Sequence, residues 1–184
     1  MKFLELVKRR QSVRRYLPDR IEPEKIKRCL EAARLAPSAS NSQPWSFIVI
    51  TDPDQKNKVA GLTYDKVLSF NKFVQSAPAL VVFVLEKPKI ITRIGAVVKK
   101  KEYPLIDIGI AAEHFCLQAT EEGLGTCMLG WFNEKPIKNI LNIPKATSIG
   151  LIISIGYPPP TYKLREKIRK NFDEVVFFNT YTKG

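Results

Sequence analysis

Pro37-Ser38-Ala39-Ser40-Asn41-Ser42-Gln43-Pro44-Trp45 is the stretch on which the reading of this chain turns. Two prolines bracket small and polar residues, a composition that punctuates a loop. Small side chains let a backbone approach a flat ligand closely, and Ser, Asn and Gln supply donors and acceptors around it. The loop runs straight into a short apolar strand, Phe47 to Ile50. Taken alone, an ordinary polar loop explains the stretch equally well.

Upstream, Pro23 suits the first position of a helix that runs to about Leu35, with Ile26, Leu30, Ala33 and Leu35 near helical spacing. Before it, Phe3 to Arg9 reads as a short amphipathic helix that leads into Lys8-Arg9-Arg10-Gln11-Ser12-Val13-Arg14-Arg15-Tyr16. Arginine's planar fork suits phosphate or the carbonyl oxygens of a ring, although a solvated basic turn has the same composition.

Downstream, a helix is expected between Asp52 and Ser76, broken near Gly61, and then a continuously apolar strand, Leu80 to Leu85, buried on both faces. Residues 86–104 are basic and irregular and read as a cover. Leu105 to Glu122 is the strongest helix, apolar nearly all round, with Gly123 as its cap. Gly123-Leu124-Gly125-Thr126-Cys127-Met128-Leu129-Gly130-Trp131 reads as a glycine-bearing turn that could expose N–H groups to a ligand. It lacks the Lys-Ser/Thr ending of a P-loop. A helix from Glu134 to Leu141, a strand from Ile149 to Ile155, a Pro-rich connector and a last strand, Glu174 to Phe178, follow. That last strand either edges its own sheet or adds to a partner's.

Length and composition agree with one core: 184 residues, 45% hydrophobic. The division expected is a domain over 1–160 and an arm over 161–184. Three widely spaced cysteines and a lone histidine, His114, suggest neither a disulfide framework nor a metal site. His114, Cys29 and Cys116 read as core residues, Cys127 as turn packing. No signal-peptide h-region or membrane-length apolar run stands out, so a cytoplasmic protein without membrane attachment is expected. The charge of +12 concentrates at 8–20, 87–101 and 163–170. Nucleic acid is one reading of such a balance; the lack of aromatic residues among the cations of 87–101 argues against it.

Together, these segments resemble the nitroreductase family of FMN enzymes, in order and at similar separations. Arg10, Ser12 and Arg14 match its Arg-x-Ser-x-Arg/Lys opening, and Pro37, Ser38, Asn41, Gln43, Pro44 and Trp45 match its Pro-Ser-x-x-Asn-x-Gln-Pro-Trp loop. Gly123 to Cys127 match Gly-Leu-Gly-Thr-Cys, and Gly156-Tyr157-Pro158 match a Gly-Tyr-Pro after a later strand. The resemblance implies an α+β fold, a central mixed β-sheet flanked by helices, in an intertwined homodimer with two sites at the interface.

It also implies roles. Arg10 would contact the FMN phosphate with Lys167 and Arg169, and Gln11 and Ser12 would lie at the phosphate or ribityl chain. Arg14 would stand beside N1 and O2 of the ring, and the N–H groups of Leu129 and Gly130 would meet N5 and O4. Pro37, Ser38, Ala39 and Asn41 would reach the partner's flavin. Asn71 matches the family's pyrimidine-edge Asn only loosely. No protein residue would act as a catalytic nucleophile or metal ligand. The implied reaction passes hydride from NADH or NADPH through FMN N5 to a nitroaromatic, quinone or similar small acceptor, in ping-pong order. Dehalogenation or flavin destruction on the same fold, or a basic nucleic-acid-binding protein, are the alternatives.

Overall fold

A computed structural model describes residues 2–64, 69–86 and 102–181. Among these residues, five helices alternate irregularly with four strands: α1 Phe3–Arg9, α2 Pro23–Arg34, β1 Trp45–Ile50, α3 Pro53–Ala60, β2 Ala79–Leu85, α4 Tyr103–Glu121, β3 Gly125–Leu129, α5 Glu134–Ile140 and β4 Ser148–Gly156. Proline opens α2 and α3, where its missing N–H costs nothing, and the Asp52 carboxylate caps α3 by accepting from Gln55 N at 2.8 Å. At the end of α4, Gly123 (φ 77°) donates to Thr120 O and Leu124 donates to Ala119 O, the paired bonds of a Schellman stop.

The sheet order is β1-β2-β4-β3, with antiparallel neighbours throughout. Its mixed character is confined to one parallel bridge, Ser12 with Thr126, on the outer edge of β3. β2 is buried along both faces. Ala79, Val81 and Phe83 pack with Cys29 and Ala33 of α2 and Phe115 of α4. Leu80, Val82 and Val84 pack with Val59, Ile137, Val13 and Tyr16 on the other side. A strand covered by helices on one face and by helices and a loop on the other has no reason to alternate, which accounts for its continuous apolar run.

Three expectations change. The segment read as a glycine-bearing turn is a strand over Gly125–Leu129, whose pairing with β4 supplies what its composition does not. Residues 174–178 form no strand among the described residues: Phe172–Glu174 is a 3-10 turn, and Val175 N and Val176 N both donate back to Phe172 O. The single helix expected between Asp52 and Ser76 is α3 followed by a separate 3-10 turn, Lys72–Ser76. The basic cover falls mostly on 87–101, outside the described residues. Helix α4 is covered on one side only, with Leu105 and Ile106 exposed. No helix among the described residues is long and apolar enough to cross a membrane.

Candidate functional site

The motif cations lie along the free edge of β3. Val13 N donates to Thr126 O at 2.8 Å, and Gly125 makes the approach possible: a Cβ there would stand 2.6 Å from Val13 Cγ2. Tyr16, buried, donates to Val13 O at 2.8 Å and lies 2.8 Å from Ser154 Oγ. Burial pushes the Tyr16 phenol well above its usual range, so it remains a neutral strut. Burial also raises the Cys127 thiol, against the pull of Arg14, a hydrogen bond from Ser12 and the charge of Arg165. A neutral, 5% exposed thiol is packing, not a nucleophile.

Around this edge the C-terminal connector closes. Arg14 N donates to Tyr162 Oη at 3.0 Å, Arg165 Nη2 to Ser12 O at 2.5 Å and Arg165 N to Gln11 Oε1 at 3.1 Å. Lys167 Nζ donates to Arg10 O. Arg10 ends α1, and its Nε is 3.3 Å from Glu113 Oε1 yet misaligned for a hydrogen bond, which leaves that buried nitrogen without one. The Lys167 ammonium is pulled below its usual range by desolvation and then by the charges of Arg10 and Arg169. Arg169 turns one nitrogen to its neighbour's carbonyl, Ile168 O, at 2.8 Å. Crowded cations, one with a buried unfilled donor, form a cradle that an anion with several acceptor oxygens completes. A phosphate monoester fits.

The Pro37 to Asn41 loop is anchored elsewhere. Ala39 N donates to Asp107 Oδ1 on α4 at 3.1 Å, and Gln43 N to Ser38 Oγ at 2.9 Å. Ser40, Asn41 and Gln43 all have positive φ (53°, 49° and 46°). Asp107 Oδ2 and Ser42 Oγ are buried without hydrogen-bond partners. Asp107 lies six residues before Glu113 on α4, about 9 Å along the helix axis, so the loop and Arg10 grip the helix at separate points.

Leu129 is buried at the end of β3, and Gly130 is exposed just beyond it. Asn71 donates from Nδ2 to Thr63 O (3.0 Å) and Trp131 O (3.3 Å), so both of its N–H groups hold backbone and steady the turn that carries Gly130. Trp131 is half exposed, with its ring centroid 6.3 Å from that of Phe70. His114 is partly buried, Nδ1 3.3 Å from Ala32 O. The structure thus gathers Arg10, Gln11, Ser12, Arg14 and Lys167, with Leu129 at the end of the strand whose outer edge carries Ser12. Arg169 adds its charge from the connector. Pro37, Ser38, Ala39 and Asn41 form a separate body on α4. Sequence reading missed Tyr162, Arg165, Glu113 and Asp107, whose partners lie far away along the chain.

Known proteins resemble this chain over most of its length. Residues 7–157 match the model of the nitroreductase family. An Archaeoglobus fulgidus protein named as an NADH dehydrogenase/NAD(P)H nitroreductase is 31% identical over 163 residues, spanning 84% of each chain. Iodotyrosine deiodinase 1 of Sus scrofa is 27% identical over 95% of this chain and 67% of its own. The structure of an FMN-dependent nitroreductase from Clostridium difficile R20291 superposes with TM-score 0.76 at 29% identity, covering 97% of this chain and all of that one.

Proposed function

The chain belongs to the nitroreductase family, and from that premise we propose that it is an FMN-dependent NAD(P)H oxidoreductase that works as a homodimer. Bound FMN would supply the redox chemistry, accepting a hydride from NADH or NADPH at N5 and passing the electrons on to a nitroaromatic, quinone or related acceptor in ping-pong order. The observation that carries the reading is the cation cradle of Arg10, Lys167 and Arg169, with Arg10 Nε buried and unfilled. Those three residues hold the FMN phosphate, and Gln11 and Ser12 lie beside it. Arg14, exposed at the same edge, sets a positive charge at the N1–O2 side of the ring, where negative charge grows on reduction. The N–H groups of Leu129 and Gly130 orient N5 and O4. Asn71 steadies that turn rather than lending its own amide hydrogens.

The second chain supplies the loop. Pro37, Ser38, Ala39 and Asn41 reach the partner's flavin; their anchorage on α4 apart from Arg10 supports this. The exposed apolar residues of α1, α4 and the tail, among them Phe3, Ile106, Val175 and Phe178, support a partner lying across them. Residues 161–184 act as the arm, with 174–178 adding to the partner's sheet.

Titrating the purified protein with FMN and recording the visible spectrum tests the reading. Tight binding with a shifted, structured flavin band and bleaching by NADH or NADPH are expected; loss of a charged hydrogen bond in Arg10→Ala weakens FMN binding on the order of ten- to a hundredfold. A protein that never takes up FMN refutes it. The deiodinase among the relatives favours one further reading, reductive dehalogenation at the same site; monoiodotyrosine reoxidising the bleached protein faster than a nitroaromatic does would establish it.

A further inference from the structure

Two Lys-x-Arg pairs stand in tandem, Lys163-Leu164-Arg165 and Lys167-Ile168-Arg169, and two arginines stand side by side, Arg14 and Arg15. The flavin site uses one member of each duplication. The others converge on a separate pocket of about 370 Å³ lined by Arg15, Thr161, Tyr162, Lys163 and Arg165.

Two of the pocket's cations, Arg15 and Arg165, are fixed by neutral groups. Arg15 Nη2 donates to Thr161 Oγ1 at 3.1 Å, and the guanidinium lies 5.9 Å from the centroid of the Tyr162 ring. Arg165 is held by Ser12 O and Gln11 Oε1, and Gln11 Nε2 in turn donates to Lys163 O at 3.4 Å. Among the described residues, none of the three cations pairs with a carboxylate, and none of the lining residues is acidic. Neutral partners fix direction without cancelling charge, so the three exposed cations lining the cavity leave it a positive potential that favours an anion. A guanidinium presents several N–H donors in a plane, the match for phosphate oxygens. The pocket also adjoins the flavin edge: Tyr162, whose ring lies beneath Arg15, accepts from Arg14 N with its hydroxyl.

We infer that this pocket receives a phosphate monoester of the nucleotide co-substrate, the 2′-phosphate that distinguishes NADPH from NADH. The inference rests on the oxidoreductase reading above and adds to it a preference for NADPH. A phosphate could reach the pocket from two sources, the dinucleotide or FMN itself, and the experiment separates them.

Holoprotein and an R15Q/K163Q double variant are compared at one ionic strength, because exposed charges are screened by salt. Calorimetry with 2′,5′-ADP and with 5′-AMP reads the pocket without turnover, steady-state kinetics give KM for NADPH and NADH, and fluorescence gives FMN affinity. Wild type should bind 2′,5′-ADP at least about tenfold more tightly than 5′-AMP, as charge-assisted hydrogen bonds to a dianion require. The double variant should lose that preference and raise KM for NADPH by a similar factor, with KM for NADH and FMN affinity unchanged. Equal binding of the two nucleotides by wild type overturns the inference, as does an equal rise in both KM values. Weakened FMN binding in the variant overturns it too, by assigning the pocket to the flavin phosphate. Holoprotein that oxidises neither dinucleotide would count against the oxidoreductase reading, while the calorimetric preference still decides the pocket.

Discussion

Arg10–Tyr16 and Pro37–Trp45 are both segments of largely irregular backbone beside the same sheet, one along the edge of β3, the other leading into β1 at the opposite edge, and their backbones are satisfied in contrasting ways. The first is tied on every side within its own chain: by Thr126 O, by Tyr16 to Ser154, and by Tyr162, Arg165 and Lys167 from the connector. It contains no residue of positive φ. The second carries three such residues, none of them glycine. Left-handed backbone costs an L-residue about 1–2 kcal/mol. Strain of that kind persists where surrounding structure holds it for a purpose. The difference is what the proposed dimer would explain: one segment lies relaxed within its own chain, and the other is strained at the surface the proposal gives to a partner.

The sharpest way to break that comparison is to damage each half in a different chain. Arg10→Glu disables the cradle, and Ser38→Leu with Asn41→Leu disables the loop; each homodimer should be inactive. When the two variants are unfolded and refolded together, half the dimers are mixed, and in each of these one site carries both lesions and the other none. Activity should return to about a quarter of wild type, one good site in half the dimers. Mixing without unfolding should restore little, because exchange requires the arms to separate. Mixed dimers seen by mass with no activity would place the loop over its own chain's flavin, and the contrast drawn above would fail.

A smaller effect tests what pins the relaxed segment. Gly125→Ala drives a Cβ to within 2.6–2.8 Å of three Val13 side-chain atoms. Val13 is buried and β-branched, so it has little rotamer freedom with which to yield. The Arg10–Tyr16 segment must lift, at a cost of roughly 1–3 kcal/mol in stability and with weaker FMN binding. Adding Val13→Ala should recover much of the FMN affinity. If Gly125→Ala binds FMN as wild type does, the close approach does not position the cations.

The same contrast governs what could be read from sequence. The helix start at Pro23 and the stop at Gly123 are local signals, and both are where the sequence places them. The strand β2 announces itself by the unbroken apolar run from Leu80 to Leu85, and the structure buries it on both faces. β3 does not: Gly125, Thr126 and Cys127 look like a turn, and only β4 and Val13 make them a strand. Residues 174–178 err in the opposite direction: strand-like in composition, they begin in a 3-10 turn whose next two N–H groups fold back to Phe172 O. Among site residues, the motif cations are legible because their types and spacing are unusual. Tyr162 and Arg165 are not, because Arg14 and Ser12 lie 148 and 153 positions away from them. Asp107 reads as one polar residue on an apolar helix; only the folded loop gives it Ala39 N to hold.

The smallest predicted effect lies in the strained loop. Ser40 has φ 53° and ψ 28°, squarely left-handed, and its side chain is exposed. In Ser40→Gly the folded state loses the steric cost of that conformation, about 1–2 kcal/mol. The unfolded state gains backbone freedom worth about 0.5–1 kcal/mol, which offsets part of the gain. The net should be a stabilisation of no more than about 1 kcal/mol, a rise in Tm of roughly 2–4 °C for a chain of this size. Melting curves must be taken at one protein concentration, since dissociation of a dimer would otherwise shift the midpoint. Ser38→Gly is the matched control. Ser38 is extended, at φ −144°, and its Oγ accepts from Gln43 N, so glycine there has no strain to relieve and removes a bond. That variant should lose about 1 kcal/mol. Opposite signs two residues apart would establish that the loop stores strain at Ser40 itself. A Ser40→Gly protein no more stable than wild type would mean that the bend is relaxed, and that positive φ in this loop is no mark of a surface shaped for a partner.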